Sequence, residues 1–175
     1  MSLTLLLTAT LMSLSPAGAS AELVPADWKR TLVMDESKRD ANTPAASAVH
    51  TMDKSKTGVL LQCTGDSMSA YFAVEPLDFE KLAESRTSRY RERETRLFIN
   101  GELVDERKWT YLPTLEAAFP DSKLIATKIF NAIVQGQPVQ FELGDKRVDV
   151  FLPQADDEFA SFAQDCSTFR RDAAE

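Results

Sequence analysis

The sequence predicts an α+β domain: a mostly antiparallel β-sandwich or half-barrel carrying two helices and one disulfide. Three observations predict it. Short apolar or alternating runs recur along the chain, separated by Gly, Asn, Asp and Pro turn signals. Only two stretches repeat apolar residues at clear three-to-four spacing, the mark of an amphipathic helix. Two cysteines, Cys63 and Cys166, stand 103 positions apart in a chain that opens on an export signal.

The export signal comes first. Residues 1–21 hold no charged side chain, and the apolar run Leu3–Leu14 is followed by Ser15-Pro16 and Ala17-Gly18-Ala19-Ser20-Ala21. A spanning helix needs about 20 apolar residues, so this run is too short to be one. A short apolar core, a helix breaker and small residues form a secretory signal peptide, with the cut between Ala21 and Glu22. The absence of Lys or Arg before the core departs from the usual layout. An uncleaved anchor or a buried N-terminal helix is the alternative. No cysteine stands directly after the cut, where Glu22 lies, so a lipid anchor is not expected.

Residues 22–175 then form a single β-rich domain that keeps the whole net charge of −7. Trp28–Met34 reads as a first strand, with Trp28, Leu32 and Met34 on one face. Asp35–Pro44 is polar and reads as a loop, and Ala45–Met52 as a weaker strand. After the Asp53–Thr57 turn, Gly58–Thr64 is apolar on both faces, as a central strand is. Gly65-Asp66 turns the chain into Ser67–Val74, where Met68, Ala70, Phe72 and Val74 alternate onto one face. Pro76 ends that strand, and 75–88 fits either a short helix or a long loop. Arg89–Ile99 and Glu102–Val104 flank Asn100-Gly101, the strongest short hairpin signal, because a type I′ turn needs positive φ at both central positions. Lys108–Leu112 continues the strand pattern to Pro113.

Asp121–Gln135 is the best helix, with apolar pairs at Leu124-Ile125, Ile129 and Ala132-Ile133 and a stop at Gly136 and Pro138. Val139–Leu143 and Arg147–Leu152 flank Gly144-Asp145-Lys146 and read as a hairpin. Asp156 to about Arg171 closes the chain as a helix with Phe159, Phe162, Cys166 and Phe169 on one stripe. Seven to nine strands and two helices result. In an oxidising compartment Cys63 and Cys166 pair most simply with each other, pinning the last helix to the sheet; two buried free thiols are the alternative.

Composition excludes several function classes. Twenty Lys and Arg stand against 27 Asp and Glu, which is unlike a general nucleic-acid binder. One His and two Cys cannot build the usual four-ligand zinc site, and no calcium loop, phosphate-binding Gly motif or C-x-x-C occurs, so no metal or cofactor is expected. His50 is the only candidate base for nucleophilic catalysis, and G-x-S-x-G is absent. The acidic pair Asp105-Glu106 has no distinguishing context. Asp156-Asp157-Glu158 is explained by capping and the macrodipole of the last helix. Trp28, Trp109 and Tyr111 fit core packing better than a binding platform.

One local feature stands out. Ser85–Arg96 carries five Arg and two Glu, a +3 stretch inside a −7 chain. On a strand, Arg89, Arg91 and Arg93 share one face, opposite Tyr90, Glu92, Glu94 and Arg96. Three aligned guanidinium groups suit an anionic partner: a carboxylate-rich protein surface, a phosphorylated headgroup or a polyanionic glycan. The competing reading pairs these Arg with Glu on neighbouring strands, or uses them to blunt a sheet edge.

The order of elements resembles a known pattern. An exported chain begins with a Trp strand (Trp28) and runs a strand into a Cys (Cys63). It continues through an alternating strand, an Asn-Gly hairpin (Asn100-Gly101), an apolar helix (Leu124–Val134) and a strand pair. It ends on a Phe-bearing helix with a second Cys (Phe159, Phe162, Cys166). This layout resembles proteins of the invasion-associated locus B type and accessory periplasmic proteins of type VI secretion. The resemblance covers most of the chain after the signal, as an order of elements rather than a motif. It implies a small exported β-rich protein with a disulfide and without catalysis.

The expected function follows. The chain reads as an exported, non-enzymatic binding or accessory protein of the bacterial envelope, periplasmic or secreted, with Arg89, Arg91 and Arg93 as its binding strand. The expected partner is a protein or an anionic envelope component, not a nucleic acid, and no stable membrane insertion is expected after cleavage. The alternatives are an inhibitor or immunity-type module against a secreted enzyme, and a cell-wall or glycan hydrolase.

Overall fold

The computed structural model describes residues 27–34, 44–74, 90–112, 115–144 and 146–173. The signal segment, the polar loop after the first strand, the 75–88 stretch and Arg89 lie outside them.

The described strands are β1 (Trp28–Met34), β2 (Pro44–Thr51), β3 (Val59–Cys63), β4 (Met68–Ala73), β5 (Arg91–Ile99), β6 (Glu102–Leu112), β7 (Ala117–Pro120), β8 (Val139–Leu143) and β9 (Lys146–Val150). The helices are α1 (Lys123–Val134) and α2 (Asp157–Asp172). The strands form one open antiparallel sheet in the order β1-β2-β3-β4-β7-β6-β5-β8-β9. A single sheet selects the half-barrel over the sandwich.

Curvature follows from aromatic packing. Phe72 on β4 and Phe141 on β8 are separated by β7, β6 and β5. Four strand spacings of about 4.8 Å would part them by about 19 Å on a flat sheet. Their ring centroids lie 5.4 Å apart, and Trp109 on β6 stands 5.0 Å from Phe72 and 5.6 Å from Phe141. The sheet therefore curls around this trio. Its ends approach closely enough for Phe151 N–H, just after β9, to donate to Thr57 O in the β2–β3 turn (2.8 Å).

Local chemistry explains the elements. Asn100 and Gly101 hold φ of 53° and 81°, the two positive values a tight hairpin requires. β3 is flanked by β2 and β4 and buries Val59, Leu61 and Cys63. On β4, Met68, Ala70 and Phe72 are buried, with Val74 just beyond, as alternation demands. α1 buries Ile125, Ala126, Ile129, Ala132 and Ile133, and Gly136 at φ 63° ends it. Asp156 caps α2 by accepting from Phe159 N–H (3.0 Å), with Asp157 and Glu158 in the first turn and Arg170 and Arg171 in the last.

Three contacts lock α2 onto the first strands. The Cys63–Cys166 disulfide joins β3 to α2 with Cα atoms 5.6 Å apart. Asp156 and Glu158 carboxylates accept the Trp28 and Arg30 backbone N–H groups (3.3 and 3.2 Å), which covers the first half of the β1 edge. Asp165 accepts from Arg30 Nε and Nη2 (2.6 and 3.0 Å) and from the fully buried Ser47 hydroxyl (2.6 Å). Leu32 and Met34 are exposed, although the sequence sets them on the face of buried Trp28, and the register shifts between Val33 and Met34.

Burial raises the Asp165 carboxyl, but hydrogen bonds from Arg30 and Ser47 outweigh it and hold the group below its ordinary value. A depressed folded-state pKa contributes stability above the ordinary value of 3.8 and loses it as pH falls through the depressed value. Asp165→Ala should therefore cost about 2 kcal/mol near neutral pH, because it strands the Ser47 hydroxyl and the Arg30 guanidinium. Denaturant unfolding at neutral and acid pH checks this: the gap between wild type and variant should narrow in acid.

Candidate functional site

The Arg-rich strand divides at Thr95. β8 reaches β5 only from Thr95↔Leu143 to Ile99↔Val139, whereas β6 accompanies β5 along its whole length. Among the described residues, β6 is the one ladder neighbour of Arg91–Glu94. Arg91–Glu94, whose two Arg and two Glu balance, thus form a half-strand edge at the rim of the curled sheet.

Period two holds across this half. Arg91 and Arg93 are half-buried on the face that also carries buried Thr95 and Leu97, while Glu92, Glu94 and Arg96 are exposed on the other. The register sets Arg91 opposite Tyr111 and Arg93 opposite Trp109. Both aromatic residues are buried, so they pack as core beside the two Arg rather than as an open platform. Arg93 Nη1 donates to Glu92 O (2.9 Å). The Tyr111 hydroxyl is pushed up by burial and by the Glu116 charge, against the opposing effect of Arg91. Glu116 and Arg91 are thus both near that phenol.

Arg96 is spent differently. On the outer face it meets Glu106 on β6 (3.8 Å) and Glu142 on β8 (3.4 Å), and Glu142 also meets Arg147 on β9 (3.6 Å). This charge ladder spans four strands, and each exposed pair in it stabilises by less than about 1 kcal/mol. Asp105, offered by the sequence as half of an acidic pair, holds Arg107 Nε (2.7 and 2.8 Å). The five Arg therefore fall into separate environments: Arg91 and Arg93 at the rim, Arg96 in the ladder, Arg86 and Arg89 outside the described residues.

Two clefts adjoin residues that bear on function. A 760 Å³ cleft lies between β9, the β2–β3 turn and the C-terminal end of α1. A 420 Å³ cleft is lined by His50, Asp53, Lys54, Tyr71 and the start of β3. His50 Nδ1 lies 3.0 Å from its neighbour's carbonyl, Thr51 O, and no serine or cysteine lines that cleft among the described residues. Asp53 there is tied to the Ser55 hydroxyl, Lys56 and the Ser55 N–H, which hold its carboxyl down to about 2. Among the described residues, no group of three His, Cys, Asp or Glu is placed to hold a metal ion, and no helix is long and apolar enough to cross a membrane.

Comparison with family models, curated proteins and solved structures finds no match for this chain.

Proposed function

We propose that the chain is an exported, non-enzymatic binding protein of the bacterial envelope that engages an anionic partner through the Arg91–Arg93 end of β5. One observation carries the reading: two guanidinium-bearing residues share one face of a half-strand that β8 does not reach, beside their buried cross-strand partners Trp109 and Tyr111. Such an edge offers backbone groups to an incoming segment, and Arg offers paired donors to carboxylate or phosphate oxygens. Export is supported by the uncharged leader and by the long-range disulfide, which oxidising compartments maintain. The resemblance of its element order to locus B-type and secretion-accessory proteins suggests the same reading.

Two observations test the reading. Intact mass of the protein recovered from the periplasm or medium should show a chain starting at Glu22, and a full-length chain in the cytoplasm would contradict it. A photoreactive residue in place of Tyr90, which is 68% exposed beside Arg91, should crosslink an envelope component in cells. The same residue in place of Leu124, 61% exposed on α1, should not. Equal capture at both positions, or none at either, would contradict the assignment.

A further inference from the structure

We propose that the outer edge of β9, which has no strand partner among the described residues, pairs antiparallel with β9 of a second copy of this chain, joining two half-barrels into one continuous sheet. The surface lies two strands from the Arg rim and uses none of its residues.

The two sheet edges differ. Asp156 and Glu158 carboxylates occupy the first half of the β1 edge. At β9, Leu143 and Lys146 are direct partners across a two-residue turn. Such a hairpin closes on a hydrogen-bonded pair, and bonded pairs recur at every second residue. Lys146, Val148 and Val150 thus turn their backbone groups toward β8, and Arg147 and Asp149 turn theirs outward. Phe151, next in that outward series, does so: its N–H donates to Thr57 O on the far side (2.8 Å). The 760 Å³ cleft runs beside this edge, bounded by Arg147–Leu152 and Ser55–Thr57.

The edge is complementary to itself. With Val148 facing the partner's Val148, Arg147 faces the partner's Asp149, and the twofold repeats the match. Both are bonded positions, so Arg147 N–H donates to the partner's Asp149 O and Asp149 N–H to the partner's Arg147 O. Symmetry makes four backbone bonds, using every outward group of the two residues. The side chains agree with the backbone. Arg147 and Asp149 are both exposed on the outer face, and opposite charges directly across a bonded pair attract. On their own chain they lean toward β8: Arg147 toward Glu142 (3.6 Å) and the Phe98 ring (3.9 Å), Asp149 toward Gln140 Nε2 (2.5 Å). The partner's charges arrive from the opposite side, and the five donors of a guanidinium serve two carboxylates. Val148 is already buried, so little new apolar area is covered. An interface of one strand pair falls near or below the ~1,000 Å² of stable complexes, so the dimer should be weak and concentration-dependent.

Sedimentation equilibrium of the mature chain, from low to high micromolar concentration, tests this. The mass should rise toward twice the monomer value. Asp149→Pro removes an outward N–H that the β8–β9 ladder does not use, a place where edge strands tolerate proline, and should leave a monomer with an unchanged melting temperature. Arg147→Asp and Asp149→Arg, each alone, set like charges opposite one another and should also give monomers. The combined charge swap restores opposite charges in the same register and should restore the dimer, which keeps the test decisive if the proline variant does not fold. A wild-type chain that stays monomeric throughout, a dimer that survives Asp149→Pro, or single reversals that the swap does not rescue would each overturn the proposal.

Discussion

Removing the Cys63–Cys166 bond lowers the free energy of unfolding by about 4–5 kcal/mol, the value the chain-entropy model gives for a loop of about 100 residues. Small domains are stable by about 5–15 kcal/mol in total, so this is a large share. The bond ties β3, three strands in from one sheet edge, to the middle of the last helix, 103 positions away. Without it, the unfolded chain regains the freedom of almost the whole domain. The folded chain keeps the Asp165 cluster and the contacts of Phe159 and Phe162 with Phe130. Because both cysteines are buried, reductant should act only on opened molecules, and reduction should be slow without denaturant. The Cys63→Ala/Cys166→Ala chain, unfolded in urea beside wild type, measures the difference. A loss under about 1 kcal/mol would mean that packing alone holds α2 to the sheet and that the staple constrains little.

Trp109→Ala should cost about 3–5 kcal/mol, the range for deleting a large buried aromatic. The indole is 1% exposed and stacks on Phe72 with planes 22° apart, while also touching Phe141. These rings come from strands that a flat sheet would hold far apart, so the deletion empties the centre of the curl. Collapse there would require strands to move, and the cavity term stays high. Trp109→Phe is the matched control. It keeps a ring against Phe72 and removes an indole N–H that is buried with no acceptor among the described residues, so it should cost under about 1.5 kcal/mol. Equal losses for the two variants would contradict the picture of a ring cluster holding the curvature.

The parts of this fold legible in the sequence are those set by neighbours in the chain. Asn100-Gly101 announces its hairpin because few residue pairs accept two positive φ angles. The Phe159, Phe162 and Cys166 stripe announces a helix because its spacing matches the turn. Asp156 announces that helix's start because a carboxylate there meets orphan N–H groups, and it does. β7 leaves no such trace. Ala117–Pro120 is four residues long, too short to alternate, and is fixed only by register with Phe72 on one side and Tyr111 on the other. β6 runs through Asp105–Arg107, a polar stretch, because these residues pair with Leu97, Arg96 and Thr95 on β5 beside a register shift. Curvature is equally non-local, since nothing near Phe72 in sequence says that Phe141 will be beside it.

The candidate site shows the same division. Period two places Arg91 and Arg93 on one face, as the sequence implies. That this face lies inward over Trp109 and Tyr111, and that β8 stops at Thr95, depends on pairing between distant segments. Arg96, two positions from the edge half, is absorbed by Glu106 and Glu142 and contributes to the sheet's outer face instead.

The proposed role of the Arg91–Arg93 rim is binding, beyond holding the sheet together. Arg91→Glu/Arg93→Glu tests it most directly, with partner recovery from envelope extract and melting temperature measured on the same preparation. Partner recovery should be lost while the melting temperature stays within a few degrees of wild type. A fall in melting temperature comparable to that of Asp165→Ala, or full recovery of partner by the reversed rim, would contradict it.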